Sequence, residues 1–274
     1  MFDSGFGGLT VARAVIDLLP GEDLVYLGDT GRYPYGPRPL DEVRRFARQI
    51  THHLLETHDA KVVVVACNTA AAAALDHLRE LVDVPVVGVI EPGIRSALRA
   101  TRSGRVGVIA TVGTVASGAY QQGVAAALDA GTVPPTEIDA VHLTCAACPG
   151  FVEFVERGET ESDQVRVLAE RLLAPVVDAG VDTLLLGCTH YPYLARTIGD
   201  VMGRDVVLVS SGEETGFELR ALLEETDALA RPRDRLGRHT FWSTGDVEHF
   251  RELGHRLLGP ELDAARPVEL GSAP

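Results

Sequence analysis

Short apolar runs alternate with longer amphipathic stretches along most of the chain. The runs are rich in Val, Ile and Leu, a composition typical of strands that are buried on both faces of a parallel sheet. The pattern predicts strands at Leu24–Leu27, Lys61–Ala66, Val84–Val89, Arg105–Ala110, Ile138–Leu143, Thr183–Gly187 and Val206–Ser210. A further β-like segment, Thr240–Ser243, is expected to return to the first half of the chain.

Between these runs, apolar residues recur at the spacing of one helical face. Leu40–His58 is the clearest example, and its pattern predicts a long amphipathic helix. Further helices are predicted over Ala70–Leu81, Ser117–Ala130, Ser162–Ala179 and Thr215–Thr226. Strands that alternate with helices indicate an α/β protein with doubly wound parallel sheets.

The pattern also suggests two similar halves, each with a polar turn after its first strand and a cysteine after a later one. We predict a first, discontinuous domain formed by residues 1–92 and 207–274, and a second domain formed by residues 93–206. The segment Glu91-Pro92-Gly93 is the predicted boundary. Ligands of open α/β sheets bind beyond the carboxyl ends of the strands, so we expect the active site in the crevice between the domains.

Two cysteines, Cys67 and Cys188, lie 121 residues apart, and each directly follows a predicted strand. Backbone N–H groups at the start of a following helix favour the thiolate and also bind anions. Taken alone, either residue is explained as a small buried core side chain. The shared placement, with hydroxyl donors next to each thiol, instead favours a catalytic pair. Two thiols on opposite sides of one carbon can exchange its proton.

Other polar residues are expected beside these thiols. The segment Asp3–Gly8 is rich in glycine but lacks the dinucleotide fingerprint, so its backbone is expected to approach a small ligand closely. Asp3 is a candidate for holding an ammonium group or orienting a thiol, although helix capping by Asp3 or Ser4 would also explain it. Arg32–Arg38, with two prolines and one glycine, predicts an irregular loop.

Composition narrows the function classes. The net charge of −14 argues against binding to nucleic acids or anionic membranes. No apolar stretch reaches the length of a membrane span and no signal peptide is evident, so a cytoplasmic protein is expected.

The cysteines and the lysine limit the possible chemistry. Four cysteines are too few to stabilise a fold of this length through disulfides. Cys145-x-x-Cys148 lacks partner histidines, so no metal is expected. Lys61, the only lysine, is a poor pyridoxal-phosphate anchor.

The motifs in combination resemble those of the glutamate racemases, in the aspartate/glutamate racemase superfamily, over nearly the whole chain. The matching segments are Phe2–Val11, Gly28-Asp29-Thr30, Tyr33–Gly36, Ala66–Ala70, Gly88–Gly93, Gly187–Pro192 and Ser210–Thr215. Compared with that family, fewer residues precede Asp3, and the first central strand is therefore expected to be short.

The resemblance implies an enzyme that interconverts L- and D-glutamate without a cofactor and supplies D-glutamate for peptidoglycan. It also implies a homodimer. By motif, Cys67 and Cys188 are the acid/bases, with Asp3, His190 and Glu156 as supporting groups. The expected substrate contacts are Asp3, Ser4, Tyr35, Gly36, Asn68, Thr69, Thr189 and His190. Thr111 and Thr114 are added from their position after a strand, as hydroxyl donors to an anion.

Three other functions remain open from the sequence. A related racemase would act on aspartate, a hydantoin or another small acid. A decarboxylase of similar architecture would use one cysteine, which the presence of both Cys67 and Cys188 makes less favourable. A non-catalytic regulator is a rival of another class, because some proteins of this family are associated with inhibition of DNA gyrase.

Overall fold

The computed structural model describes residues 1–131, 140–230 and 236–271. The chain divides into two compact units, one formed by Met1–Val89 with Gly212–Pro274 and the other by Ile90–Ser211. Each unit contains a parallel sheet flanked by helices. The predicted α/β class with two parallel-sheet domains is therefore confirmed.

The elements follow one another in three stretches of the chain. The first stretch contains β1 (Phe2–Asp3), α1 (Leu9–Leu18), β2 (Leu24–Gly28), α2 (Leu40–His58), β3 (Val63–Val65), α3 (Asn68–Leu81) and β4 (Val86–Gly88). The second contains α4 (Ile90–Ala100), β5 (Arg105–Ala110), α5 (Val112–Ala116), α6 (Ala119–Asp129), β6 (His142–Ala147), α7 (Phe151–Arg157), α8 (Asp163–Asp178), β7 (Thr183–Gly187), a 3-10 helix (Tyr191–Leu194), α9 (Ala195–Met202) and β8 (Val207–Ser210). The third contains α10 (Ser211–Glu225), β9 (His239–Ser243), α11 (Val247–Leu258), a 3-10 helix (Pro260–Leu262) and β10 (Arg266–Pro267).

The sheet of the first unit has the described strands in the order β10-β9-β2-β1-β3-β4, all parallel. Strand β9 pairs with β2 from His239 beside Leu24 to Ser243 beside Gly28. The predicted return of Thr240–Ser243 to the first half is thus confirmed. Strand β1 lies at the centre of this sheet, between β2 and β3. The carboxyl ends of β1, β2 and β3 therefore lie side by side.

The sheet of the second unit has the order β6-β5-β7-β8, again parallel. Its central strand β5 pairs with β7 so that Ala110 lies beside Gly187. Helix α8 packs its buried face, with Val165, Leu173 and Val176, into the apolar core that also contains Leu184 of β7. This core fixes the end of β7, from which Cys188 emerges.

Some elements begin or end a few residues from their predicted bounds, for local reasons. The predicted helix Ser117–Ala130 corresponds to α6, which begins two residues later because Gly118, with a left-handed φ of 72°, separates it from α5. Glu91-Pro92-Gly93, the predicted domain boundary, lies in the first turn of α4, where proline is tolerated, and the two units divide just before it, between Val89 and Ile90. Strand β6 begins at His142 and extends to Ala147, whereas the prediction placed a strand over Ile138–Leu143. Residues 138–139 lie outside the described residues.

In the described part of the chain, no helix is both long enough and apolar enough to span a membrane.

Met1 is buried in the first unit. It is 6% exposed, and its backbone nitrogen donates a hydrogen bond to the carbonyl oxygen of Val25 at 2.9 Å.

Three partly buried histidines predict a pH-dependent stability. Burial lowers the pKa of His53, His58 and His239 below the usual value of 6.5. Below pH 6.5 the unfolded state therefore binds more protons than the folded state, so the free energy of unfolding is expected to rise with pH up to about 6.5 and then to level off. Urea unfolding at several pH values measures it, and a free energy of unfolding that does not change between pH 5 and 6.5 would contradict the prediction.

Candidate active site

Cys67 lies at the start of α3, directly after β3. It is the N-cap residue, with extended backbone, and its carbonyl oxygen accepts a hydrogen bond from Ala71 N–H at 2.8 Å. The residue is 5% exposed. Its sulfur contacts Ser4 Oγ at 3.7 Å as a hydrogen-bond donor. Because α3 has fourteen residues, its amino-terminal N–H groups provide a positive field that favours the thiolate.

Asp3 and Ser4 come from the end of β1, beside Cys67. Asp3 is buried, and its Oδ2 accepts a hydrogen bond from Gly5 N–H at 2.9 Å. The capping explanation for these two residues is not supported, because α1 has Gly8 as its N-cap and no side-chain cap. A Cβ on Gly8 would lie 2.7 Å from Asp3 Cβ, so glycine is needed for α1 to approach the strand ends.

The loop after β2 carries Tyr35 and Gly36, and a buried carboxylate anchors it. Asp29 is fully buried and accepts hydrogen bonds from Arg32 Nε at 2.7 Å, from Thr244 Oγ1 at 2.7 Å and from the Tyr35 hydroxyl. Burial, with the Asp29 charge as the next cause, raises the pKa of Tyr35 well above its usual value, so its hydroxyl stays protonated. The irregular loop is thereby tied to the ends of β2 and β9.

Cys188 lies in a bend after β7, in the second unit. Cys188 Sγ is 3.9 Å from His190 Nδ1, and His190 Nε2 is 3.1 Å from Glu156 Oε1. His190 is 3% exposed, and the Glu156 side chain is 15% exposed. Glu156 belongs to α7, whereas the other two residues follow β7. The three side chains form a chain of thiol, imidazole and carboxylate.

The carboxylate determines how His190 presents its other nitrogen. A carboxylate only accepts hydrogen bonds, so Nε2 must carry a proton in this contact. Nδ1 is then the acceptor for the Cys188 thiol in neutral His190, or the donor to its thiolate in protonated His190. This arrangement of a thiol, a base and a group that orients the base is typical of an activated nucleophile or acid/base.

The backbone around Cys188 differs from that around Cys67. A 3-10 helix, Tyr191–Leu194, follows Cys188, with Tyr191 N–H donating to the Cys188 carbonyl at 3.0 Å. The expectation that an α-helix begins at both cysteines is therefore correct only for Cys67. A Cβ on Gly187 would lie 2.6 Å from the Tyr120 hydroxyl, so only glycine fits just before Cys188.

Thr111 and Thr114 lie after β5, the neighbour of β7. Because Ala110 is in register with Gly187, Thr111 follows β5 at the level where Cys188 follows β7. The two hydroxyls are 2.9 Å apart, and Thr111 Oγ1 caps α5 by accepting a hydrogen bond from Thr114 N–H at 3.4 Å. The hydroxyls thus stabilise the helix start beside Cys188.

The polar residues next to the two thiols are buried. Thr189, next to Cys188, is 5% exposed, and Asn68 and Thr69, next to Cys67, are each 3% exposed.

The other two cysteines lie at the end of β6. Burial raises the pKa of Cys145 to about 11 and that of Cys148 to about 12, so both are thiols at neutral pH. Across the described residues, no group of three or more His, Cys, Asp or Glu side chains is arranged to hold a metal ion.

Comparison with known proteins places the chain in a family. The family model described as Asp/Glu/Hydantoin racemase matches residues 9–213. The chain belongs to this family. The predicted resemblance is therefore confirmed, and so is the predicted enzyme class, a racemase.

Relatives in this family match almost the full chain. The glutamate racemase of Mycobacterium leprae is 52% identical over 272 residues, which cover 99% of this chain and 96% of that protein. A glutamate racemase of Bacillus anthracis has 40% identity and a TM-score of 0.89, with 98% of this chain and 96% of that chain covered. A glutamate racemase of Francisella tularensis, solved in complex with D-glutamate, has 32% identity and a TM-score of 0.85, with 99% and 97% covered.

Asp29 belongs to the motif Gly28-Asp29-Thr30, but the sequence alone assigns it no role. Its signal was available, because an aspartate directly after a buried strand, next to Gly28, is a candidate for a strand-end site. What the sequence did not reveal is that Tyr35, Arg32 and Thr244 would converge on this carboxylate.

Asp29→Asn is expected to destabilise the first unit by about 2–4 kcal/mol, because an amide nitrogen would face donors and the partly buried Arg32 guanidinium would lose its charge partner. Urea unfolding measures this. The control is Asp41→Asn, whose 73% exposed side chain pairs with Arg45 on the surface of α2 and should change stability by less than about 0.5 kcal/mol. Equal effects of the two substitutions would refute the anchoring role.

Proposed function

We propose that this protein is a glutamate racemase that uses no cofactor, with Cys67 and Cys188 each acting on one face of the substrate's α-carbon. The observation that carries the proposal is that each thiol follows a parallel strand and has its own polar partner. Ser4 is the partner of Cys67, and the His190–Glu156 pair is the partner of Cys188. The names of the relatives and the D-glutamate complex of the Francisella protein support glutamate as substrate.

The reaction removes one proton from the α-carbon and adds another proton to its opposite face. In one direction the Cys67 thiolate takes the α-proton, and the electron pair of the broken C–H bond stays on a planar carbanion. The Cys188 thiol then gives its proton to the opposite face, which leaves a Cys188 thiolate. The Cys67 thiol and the Cys188 thiolate that result are the starting state for the reverse direction. Return to the first state needs proton exchange, for which His190 next to Cys188 is suited.

The main barrier is the weak acidity of the α-proton. Preorganised donors must stabilise the carbanion while water is excluded. We assign this role to Asn68 and Thr69 beside Cys67 and to Thr189, Thr111 and Thr114 near Cys188. Asp3 is assigned to the substrate ammonium group, and Tyr35 and Gly36 to the substrate side chain or carboxylate. The burial of Asp3, Asn68, Thr69 and Thr189 is consistent with a site that keeps water away.

The biological setting is proposed from the family. The enzyme would work in the cytoplasm as a homodimer and supply D-glutamate for peptidoglycan. The net charge of −14 is consistent with a small-molecule substrate and not with nucleic acid as partner.

Cys67→Ser and Cys188→Ser are each expected to reduce racemisation by at least about 10³-fold, because serine is far less acidic than a thiol. The assay incubates L- or D-glutamate in deuterated water without added cofactor and follows optical rotation and α-deuterium. Each single variant should still eliminate the leaving group from one enantiomer of a suitably substituted glutamate, since one thiolate remains. A panel of amino acids that includes aspartate, in the same assay, tests the substrate.

The matched control for both variants is Cys145→Ser, which changes a thiol of the second unit that the mechanism does not use. It should racemise glutamate at the parent rate. Full activity of Cys67→Ser or Cys188→Ser would refute the two-base scheme, and racemisation of aspartate in preference to glutamate would refute the substrate.

Glu156→Gln is expected to lower kcat by about 10²-fold with a smaller change in KM, because protonated His190 loses its carboxylate partner. The pH profile of kcat should shift as well, since Glu156 stabilises the imidazolium. Glu153→Gln, an exposed position on the same helix α7, is the control and should leave both kinetic constants unchanged. An unchanged pH profile for Glu156→Gln would exclude a role for the carboxylate in proton transfer.

A further inference from the structure

The hydrogen bond between Glu156 and His190 depends on where the short helix α7 lies. The two residues are 34 positions apart in the chain, and Glu156 Oε1 lies 3.1 Å from His190 Nε2. Helix α7 has seven residues, and its N-cap is Gly150, which has no side chain to cap it. A helix of this length is not stable by itself. Contacts with neighbouring segments must therefore set the position of Glu156.

Tyr191 holds the amino-terminal end of α7. It directly follows His190, is fully buried, and donates its N–H to the Cys188 carbonyl at 3.0 Å. The Tyr191 hydroxyl donates to the carbonyl oxygen of Cys148 at 3.0 Å, three residues before α7 begins. The tyrosine ring packs edge-on against Phe151, the first residue of α7, with 5.3 Å between the ring centroids. One side chain thus joins the turn that contains His190 to the start of α7.

The carbonyl group that accepts this bond is itself fixed. Cys148 N–H donates to the Ala110 carbonyl at 2.9 Å, so Cys148 remains attached to the end of β5, the central strand. Burial raises the pKa of Tyr191 well above its usual value, with the Cys188 charge as the next cause. The hydroxyl of Tyr191 therefore stays protonated and keeps its donor.

Thr197 holds the other end of α7. It lies in α9, which follows the 3-10 helix after Cys188, and it is 5% exposed. Its hydroxyl donates to the carbonyl oxygen of Thr160 at 2.7 Å. Thr160 belongs to the short connection between α7 and α8, and that connection is tied to α7 by the bond from Glu159 N–H to the Phe154 carbonyl at 3.0 Å. The segment that continues from Cys188 therefore contacts both ends of α7.

We infer that Tyr191 and Thr197 are positioning residues, whose two hydroxyls clamp α7 at its ends and so hold the Glu156 carboxylate against His190. The inference rests on the proposed function for the consequence of this clamp. A loosened α7 would leave the imidazole without the group that orients its ring and pairs with its protonated form. Proton transfer at Cys188 would then be slower, although neither hydroxyl belongs to the reacting groups.

The first test measures the hydrogen bond itself in the protein without substrate. The Nε2 proton of His190 is followed by proton NMR and assigned by the loss of its signal in His190→Gln. In Tyr191→Phe and in Thr197→Val, this proton is expected to exchange with water at least about tenfold faster than in the parent protein. Thr197→Ser, which keeps the hydroxyl, should restore the parent rate.

The matched control is Arg196→Gln, next to Thr197. Arg196 pairs with Glu161, and the two side chains are 73% and 58% exposed. An exposed ion pair of this kind contributes little to stability. The variant should leave both the exchange of the His190 proton and the racemisation of glutamate unchanged.

The second test asks whether the two hydroxyls act through the carboxylate. Tyr191→Phe and Thr197→Val are each expected to lower kcat by about 5- to 20-fold, with a smaller change in KM, and to shift the pH profile of kcat as Glu156→Gln does. When either substitution is added to Glu156→Gln, kcat should fall further by less than about twofold, because the group that the hydroxyl positions is already gone.

Two results would overturn the inference. One is exchange of the His190 proton at the parent rate in both Tyr191→Phe and Thr197→Val. The other is a loss of kcat that is equally large with and without Glu156→Gln, because the hydroxyls would then support the unit without acting through Glu156. Faster exchange together with parent kcat in every variant, Glu156→Gln included, would support the clamp and refute the proposed part of Glu156 in the reaction.

Discussion

The first half of the candidate site depends on the backbone pairing of a strand of two residues. Through Phe2 and Asp3, β1 joins β2 to β3, and its carbonyl groups accept hydrogen bonds from Ala66 N–H at 2.8 Å and Asp29 N–H at 2.9 Å. These two residues immediately precede Cys67 and the Tyr35 loop, respectively. The same few peptide bonds therefore hold Asp3, the thiol and the loop at one edge of the sheet. Parallel pairing is what brings their chemistry together.

The sequence predicted the strands that carry the candidate site well, because buried parallel strands leave a strong apolar pattern. Thr183–Gly187 and Arg105–Ala110 were predicted with their observed bounds, as was the helix Leu40–His58. Helix bounds shifted where one residue decided the geometry. Gly118, with its left-handed φ, makes α6 begin two residues later than the predicted helix.

The sequence pattern does not predict which distant segments contact one another. The three donors on Asp29 come from its own loop and from a residue 215 positions later. Glu156 was named from family resemblance, and its hydrogen bond to His190, 34 positions away, forms only when α7 packs against the 3-10 helix Tyr191–Leu194 that follows β7. Periodicity describes which face of an element is buried, but it contains no information on which polar side chains meet.

The two thiols have unequal surroundings, a hydroxyl and a helix start for Cys67 and an imidazole–carboxylate pair for Cys188. L- and D-glutamate are mirror images with the same free energy in water, so any racemase must have equal kcat/KM in the two directions. The protein is not its own mirror image, so its complexes with the two enantiomers differ in free energy. Within the proposed mechanism, one enantiomer is therefore bound more tightly, with a lower KM, and is converted more slowly, with a lower kcat.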